Sequence, residues 1–299
     1  MLNRQDYRAY DALIEPVRRT AQVWRLLMGL ILVAGVYLLC NQMFFQFLGT
    51  MLGPGALDFF VSASGGNSPV RMLVLLGTFG FMTLGVAVAV RVAHSRGITS
   101  VFGDFRETRR QFLDVLIVLV VLNAAIFVLP PWGMGGDLVP NLDFGTWMLL
   151  LPLSAGAVLV QVSAEEILFR GYIQQQLAAR FRARAIWLLV PALLFGLGHY
   201  MPLEAGPNAT LIALWAVMFG VLMADLTARS GTLGPAIAVH FVNNFAALLL
   251  ISLPDTLSGL SLYVTPFSME DSDTLRAWLP VDFALMFISW LGARLALRR

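Results

Sequence analysis

The sequence contains no lysine, a single cysteine, three histidines and little charge of either sign. Each scarcity closes off a class of explanation. One cysteine, Cys40, set in an apolar run, cannot form an intrachain disulfide or a thiolate metal cluster, and so reveals nothing about redox compartment. Only 13% of the residues are charged and the formal net charge is +2, which gives neither the basic footprint of a nucleic-acid partner nor an acidic tail. With 58% of its 299 residues hydrophobic, a soluble fold would have too little polar surface to cover its outside. No internal repeat, low-complexity tract or second soluble domain breaks the pattern.

What the chain has instead is long apolar runs. A helix needs about 20 apolar residues to cross ~30 Å of hydrocarbon. Eight candidates run over 24–48, 70–92, 112–131, 145–168, 185–202, 209–228, 232–253 and 277–296. The predicted fold class is all-α: one polytopic membrane domain over 1–299 with about eight transmembrane helices. A polar cytosolic segment over 1–22 precedes the first helix, and residues 145–253 form the core. The fourth run continues beyond its apolar part into a polar extension, read as cytosolic. Polar residues before the first run, with no small-residue cleavage site after it, predict an anchor and not a cleaved signal peptide.

Orientation follows from the arginines, because short arginine-rich loops stay on the cytoplasmic side. Arg4, Arg8, Arg18 and Arg19 precede the first helix, and Arg96, Arg106, Arg109 and Arg110 separate the second from the third. Arg180, Arg182, Arg184, Arg229, Arg294, Arg298 and Arg299 complete the set. The alternate loops hold acids such as Asp58, Asp137, Asp143, Glu204, Asp255 and Asp271. Both termini are therefore expected in the cytosol, and the compact loops fit a bacterial cytoplasmic membrane. Pro130 and Pro131 mark an outer helix end, and Gly65 and Gly66 an outer turn. His94, among arginines, is expected to be a solvated surface residue. Asp225 and Arg229, four apart, are expected to be a structural pair, and Gly220 and Ala224 to permit close helix packing.

The informative residues are ionisable groups within apolar runs. Such a group costs about 2.5–3.5 kcal/mol at a helix centre even on permissive scales, so it faces a protein interior and marks a functional site. Helix four carries Glu165, Glu166 and Arg170; helix five carries Phe195 and His199; helix seven carries His240 and Asn244. Counted from the arginines at the helix ends, Glu165, His199 and His240 lie at heights of roughly 22, 22 and 16 Å, at ~1.5 Å per residue. Three helices thus bring polar groups to similar depth. Glu166 and Arg170 are spaced for an i,i+4 ion pair, while Glu165 points about 100° away; His240 and Asn244 share a face.

Two imidazoles, a carboxylate and an amide out of bulk water suit hydrolysis. A desolvated carboxylate takes a proton from water, and His or Asn side chains hold that water or stabilise an oxyanion. A second version gathers Glu165, His199 and His240 around a divalent metal such as zinc, with a position left for water. No His-Glu-x-x-His is present, nor a serine nucleophile elbow nor an intramembrane aspartate pair. Whether the cofactor is none or zinc therefore stays open, with the lean toward carboxylate-activated water.

At Glu165-Glu166-x-x-x-Arg170, Phe195-x-x-x-His199 and His240-x-x-x-Asn244, the chain resembles the CAAX protease and bacteriocin-processing family of intramembrane proteases, also called the Abi family. The resemblance covers about 160–246. It implies an eight-span helical fold with a cavity opening toward the cytosolic leaflet. It also implies Glu165 as general base, His199 and His240 positioning the water, and Asn244 assisting the oxyanion. Arg170 would hold Glu166 as a supporting acid. The expected partners are membrane lipids and a membrane-associated peptide or protein substrate. Two other classes are weighed against it: a proton-coupled carrier, disfavoured by the lack of an inverted repeat, and a silent scaffold, disfavoured by the retention of Glu165 and both histidines.

Overall fold

A computed structural model describes residues 7–61, 66–128, 137–269 and 271–298. Arg4, Gly65, Pro130, Pro131 and Arg299 lie outside the described residues. In chain order the helices are α1 (Arg8–Ile14), α2 (Val23–Leu52), α3 (Pro54–Val61), α4 (Pro69–Thr78), α5 (Gly80–His94), α6 (Phe105–Val128) and α7 (Phe144–Glu166). They continue as α8 (Gln175–Arg180), α9 (Arg184–Gly198), α10 (Pro202–Ala205), α11 (Ala209–Ser230), α12 (Gly234–Phe245) and α13 (Ser272–Leu297). Two π-helical segments, Ile167–Gln174 and Ala246–Leu250, join α7 to α8 and extend α12.

Among the described residues, six continuous stretches are long and apolar enough to cross a membrane: Val23–Leu52, Pro69–His94, Phe105–Val128, Phe144–Arg180, Pro202–Ser230 and Ser272–Leu297. The fifth and seventh predicted runs form the shorter apolar helices Arg184–Gly198 and Gly234–Leu250. The all-α polytopic class follows from this inventory. Helix starts obey local chemistry. The Asp143 carboxylate accepts the Thr146 amide at 3.0 Å to open α7, and Asp104 accepts that of Glu107 at 2.8 Å in α6.

Packing ranks the helices from rim to centre. In α2 only 17% of the most apolar window is buried, and Leu27, Ile31, Leu38 and Phe47 face outward; in Pro202–Ser230 the share is 44%. An apolar exterior of this kind is what lipid, and not water, solvates. Around α11 stand α9 and α13, while α12 packs on α6 and α7. The α9–α11 contact is very close at Gly220, where an added Cβ would lie 2.8 Å from the Ala192 Cα. Gly220 thus does what its small size predicts. At the end of α11, Gly231 takes φ +76°, and a Cβ there would lie 2.4 Å from the Ala9 carbonyl oxygen.

That approach is made by a segment the sequence presents only as a polar leader. Tyr7, Tyr10, Leu13, Ile14 and Val17 are buried, so α1 and the 3₁₀ turn Glu15–Thr20 dock on the bundle. The heptad-like spacing 10, 13, 14, 17 is an amphipathic signal outweighed, on reading, by the charged residues between.

One expectation is corrected. His94 is no solvated residue: it is 2% exposed, with Nδ1 3.1 Å from the Thr20 carbonyl oxygen and Nε2 2.9 Å from the Tyr172 hydroxyl. The polar extension of the fourth run is buried within the protein. Gln174, Gln175 and Gln176 are buried, their amide nitrogens reaching the Ala224 and Leu13 carbonyls and His94. The amide nitrogens are thus paired, whereas the Gln174 and Gln176 oxygens are buried without a partner among the described residues. A small sheet, unforeseen from the sequence, ties the loops at the other end. Strand β3 (Tyr263–Val264) pairs antiparallel with β1 (Val139–Pro140) and parallel with β2 (Ile251–Ser252).

Candidate functional site

The two glutamates sit on the last residues of α7, where the α-helix widens into the π segment Ile167–Gln174. A π segment carries one more residue per turn and recurs at functional sites. Arg170, within it, is 1% exposed and donates from Nη1 to the Glu166 Oε1 at 2.8 Å. Its Nη2 reaches the Gly220 carbonyl oxygen at 3.3 Å. The guanidinium lies 4.9 Å from the Phe195 ring centroid. A fully buried cation is thereby held by a carboxylate, a carbonyl and an aromatic face.

His240 arrives from α12 and bridges both acids. Its Nδ1 donates to the Glu166 Oε1 at 2.8 Å, and its Nε2 stands 3.5 Å from the Glu165 Oε2. The sequence reading sends Glu165 toward a different neighbour from Glu166. In the fold the imidazole is wide enough to meet both, one on each nitrogen. Phe195 and Phe219 wall the imidazole, with ring centroids 6.1 and 4.9 Å away. The two carboxylates differ in access. Each has a sealed Oε2 with no hydrogen-bond partner, whereas the Glu165 Oε1 is not among the sealed polar atoms and carries no hydrogen bond among the described residues. Glu165 therefore offers a free oxygen, and Glu166 spends its partnered one on Arg170 and His240.

His199 follows the last residue of α9 and is half-buried. Its Nδ1 lies 2.8 Å from the Phe195 carbonyl oxygen. A carbonyl only accepts, so His199 donates from Nδ1, and its Nε2 makes no hydrogen bond among the described residues. The ring packs 4.4 Å from the Phe195 centroid. Phe195 is thus the common neighbour of Arg170, His199 and His240. Asn244, one turn beyond His240, donates to the Gln161 Oε1 at 2.9 Å and accepts from Asn243 at 3.2 Å.

The structure therefore brings Glu165, Glu166, Arg170, Phe195 and His240 into one cluster, with His199 and Asn244 at its edge. Among the described residues no group of three His, Cys, Asp or Glu side chains is placed to hold a metal ion. Glu165, His199 and His240 do not converge as a three-donor set in this conformation. Gln161 is the polar neighbour that motif reading passes over. Its signal is spacing: it precedes Glu165 by four residues on the same face of α7.

The class is that of a membrane-embedded helical bundle with a buried carboxylate–imidazole cluster. Comparison adds a partial match: residues 145–246 resemble the family described as type II CAAX prenyl endopeptidase Rce1-like. The match spans the same motifs read from the sequence, and at family level it supports an intramembrane CAAX-type endopeptidase. A curated relative, the uncharacterized protein YyaK of Bacillus subtilis (strain 168), is 23% identical over 258 residues, covering 83% of this chain and 85% of its own. No solved structure matches.

Proposed function

We propose that the protein is an intramembrane endopeptidase that hydrolyses a peptide bond in a membrane-associated substrate with a Glu165-activated water. The observation that carries this reading is the asymmetry of the two adjacent carboxylates: Glu166 is committed to Arg170 and His240, and Glu165 keeps a free oxygen beside them. Residues 145–253 form the catalytic core.

In the proposed reaction, Glu165 takes a proton from water, and the resulting hydroxyl oxygen bonds to the scissile carbonyl carbon. The carbonyl π pair moves to its oxygen, giving a tetrahedral oxyanion. The oxyanion collapses, the carbon–nitrogen bond breaks, and Glu165 returns the proton to the leaving amine. His199, through its Nε2, orients the water. His240, fixed through Nδ1 by Glu166, presents Nε2 on the Glu165 side. The substrate presents its bond from the cytosolic leaflet, with both termini of the protein in the cytosol of a bacterial cell.

The test is cleavage of a fluorogenic peptide that mimics a lipidated C-terminus, by detergent-purified full-length protein beside Glu165→Gln, with and without a strong chelator. Glu165-dependent cleavage that survives chelation supports the reading. Loss on chelation with rescue by zinc replaces it with a metal mechanism, and cleavage by Glu165→Gln at the wild-type rate removes the proposed base.

A further inference from the structure

We infer that Gln161 supplies a hydrogen-bond donor to the reacting carbonyl and that Asn244 aims it, an inference that rests on the peptidase reading above. Gln161 and Glu165 are four residues apart on α7, so their side chains leave the same face, about 5–6 Å apart at Cβ. Gln161 is 6% exposed and faces α12, where Asn244 donates from Nδ2 to its Oε1 at 2.9 Å. Asn244 in turn accepts from the Asn243 Nδ2 at 3.2 Å. The three amides thus form a directional chain, each nitrogen donating to the next oxygen. A chain of this kind ends in a donor. That donor is the Gln161 Nε2, which makes no hydrogen bond among the described residues and is not among the sealed polar atoms.

One face of α7 therefore carries two free groups a turn apart: an acceptor, the Glu165 Oε1, and a donor, the Gln161 Nε2. Addition of water to a carbonyl uses both kinds. The acceptor receives the water proton, and the donor meets the negative charge that grows on the carbonyl oxygen. A glutamine serving only to glue α7 to α12 would be expected to spend both ends on partners inside the bundle. Here the oxygen is spent and the nitrogen is kept. Polarisation along the amide chain strengthens the terminal donor. Asn244 gives one of its two N–H groups to Gln161 and so positions that donor as well.

The experiment compares full-length wild type, Gln161→Leu and Gln161→Met in detergent, with three readouts: peptide cleavage, affinity for a tetrahedral phosphonate peptide, and affinity for an uncleavable reduced-amide peptide. Both variants are expected to lower kcat by about 10²–10³-fold, the range for loss of one oxyanion donor, with KM changed less than about two-fold. The phosphonate should weaken by a similar factor while the reduced-amide peptide binds as before. Asn244→Ala should show the same split, and adding it to Gln161→Leu should cost little more. Wild-type kcat in either folded Gln161 variant overturns the inference, as does equal weakening of both inhibitors, which marks a structural role. If wild type itself shows no Glu165-dependent cleavage, the peptidase reading and this inference fall together.

Discussion

Two acid–arginine pairs with identical i,i+4 spacing lie in this bundle, and their surroundings separate them. Asp225 and Arg229, near the end of α11, are joined at 2.8 and 3.0 Å. Both oxygens of Asp225 are further occupied, one by the Tyr7 hydroxyl at 2.5 Å and the other by the Trp290 indole nitrogen at 3.1 Å. Glu166 and Arg170 form a contact of the same length, yet one Glu166 oxygen is buried without a partner, and a second carboxylate and an imidazole crowd the other side. A closed pair locks α1, α11 and α13 together. An unclosed one accumulates charge in a place that must be stabilised for some other reason.

The sharpest way to break this contrast is to remove one carboxylate from each neighbourhood. Glu165→Gln is expected to lower kcat by about 10³-fold, within the range for a general base, while Asp225→Ala stays within about two-fold of wild type; peptide cleavage measures both. Stability should show the next largest effect. Glu166→Ala strands the 1%-exposed Arg170 and should cost about 3–5 kcal/mol, as breaking a buried pair does. Asp225→Ala takes the acceptor away from the likewise buried Arg229, from Tyr7 and from Trp290, so it should cost a similar ~3–5 kcal/mol while leaving turnover intact; detergent unfolding curves measure both, and a loss of turnover in Asp225→Ala matching that of Glu165→Gln would erase the contrast.

Smaller effects sharpen the same comparison. Gly220→Val pushes α11 away from Ala192 and should destabilise by about 1–3 kcal/mol, with reduced turnover because Phe195 rides on the displaced α9. The smallest effect is pH-dependent. Burial, and then the bond to Asp225, hold the Tyr7 phenol above its ordinary range. A group whose folded pKa is raised contributes stability that is intact below the unfolded value, about 10, and fades as pH rises through the folded one. Stability should therefore fall from about pH 10 upward, and Tyr7→Phe should flatten that slope; an unchanged slope in unfolding curves at about pH 9 and 11 would detach Tyr7 from the closed pair.

The legibility of the chain follows the same division. Apolar length and arginine placement made the helices readable, since both are set by the bilayer and not by neighbours. The pairs Glu166–Arg170 and Asp225–Arg229 were readable because i,i+4 spacing is local. The His240 bridge was only half readable: depth indicated a meeting, but a straight 100° step sent Glu165 elsewhere, and the width of an imidazole decided otherwise. His94 misled because a polar residue beside arginines looks solvated, and only tertiary partners such as Thr20 and Tyr172 show it to be interior. The docking of α1 and the role of Gln161 depend on contacts between segments 218 and 83 positions apart in sequence, which no local pattern encodes.

The shortness of α9 reaches beyond the site to the lipid around it. Its 15 residues rise about 22 Å at ~1.5 Å each, against a hydrocarbon thickness of ~30 Å. A span that falls short is accommodated by thinning of the bilayer or by polar groups entering it. The helix closes on tight turns, the His199 and Tyr200 amides folding back to the Gly196 and Leu197 carbonyls, while the Phe195 oxygen is met by the His199 ring. At about 22 Å, α9 by itself leaves roughly 8 Å of a ~30 Å hydrocarbon layer to the chain that follows His199.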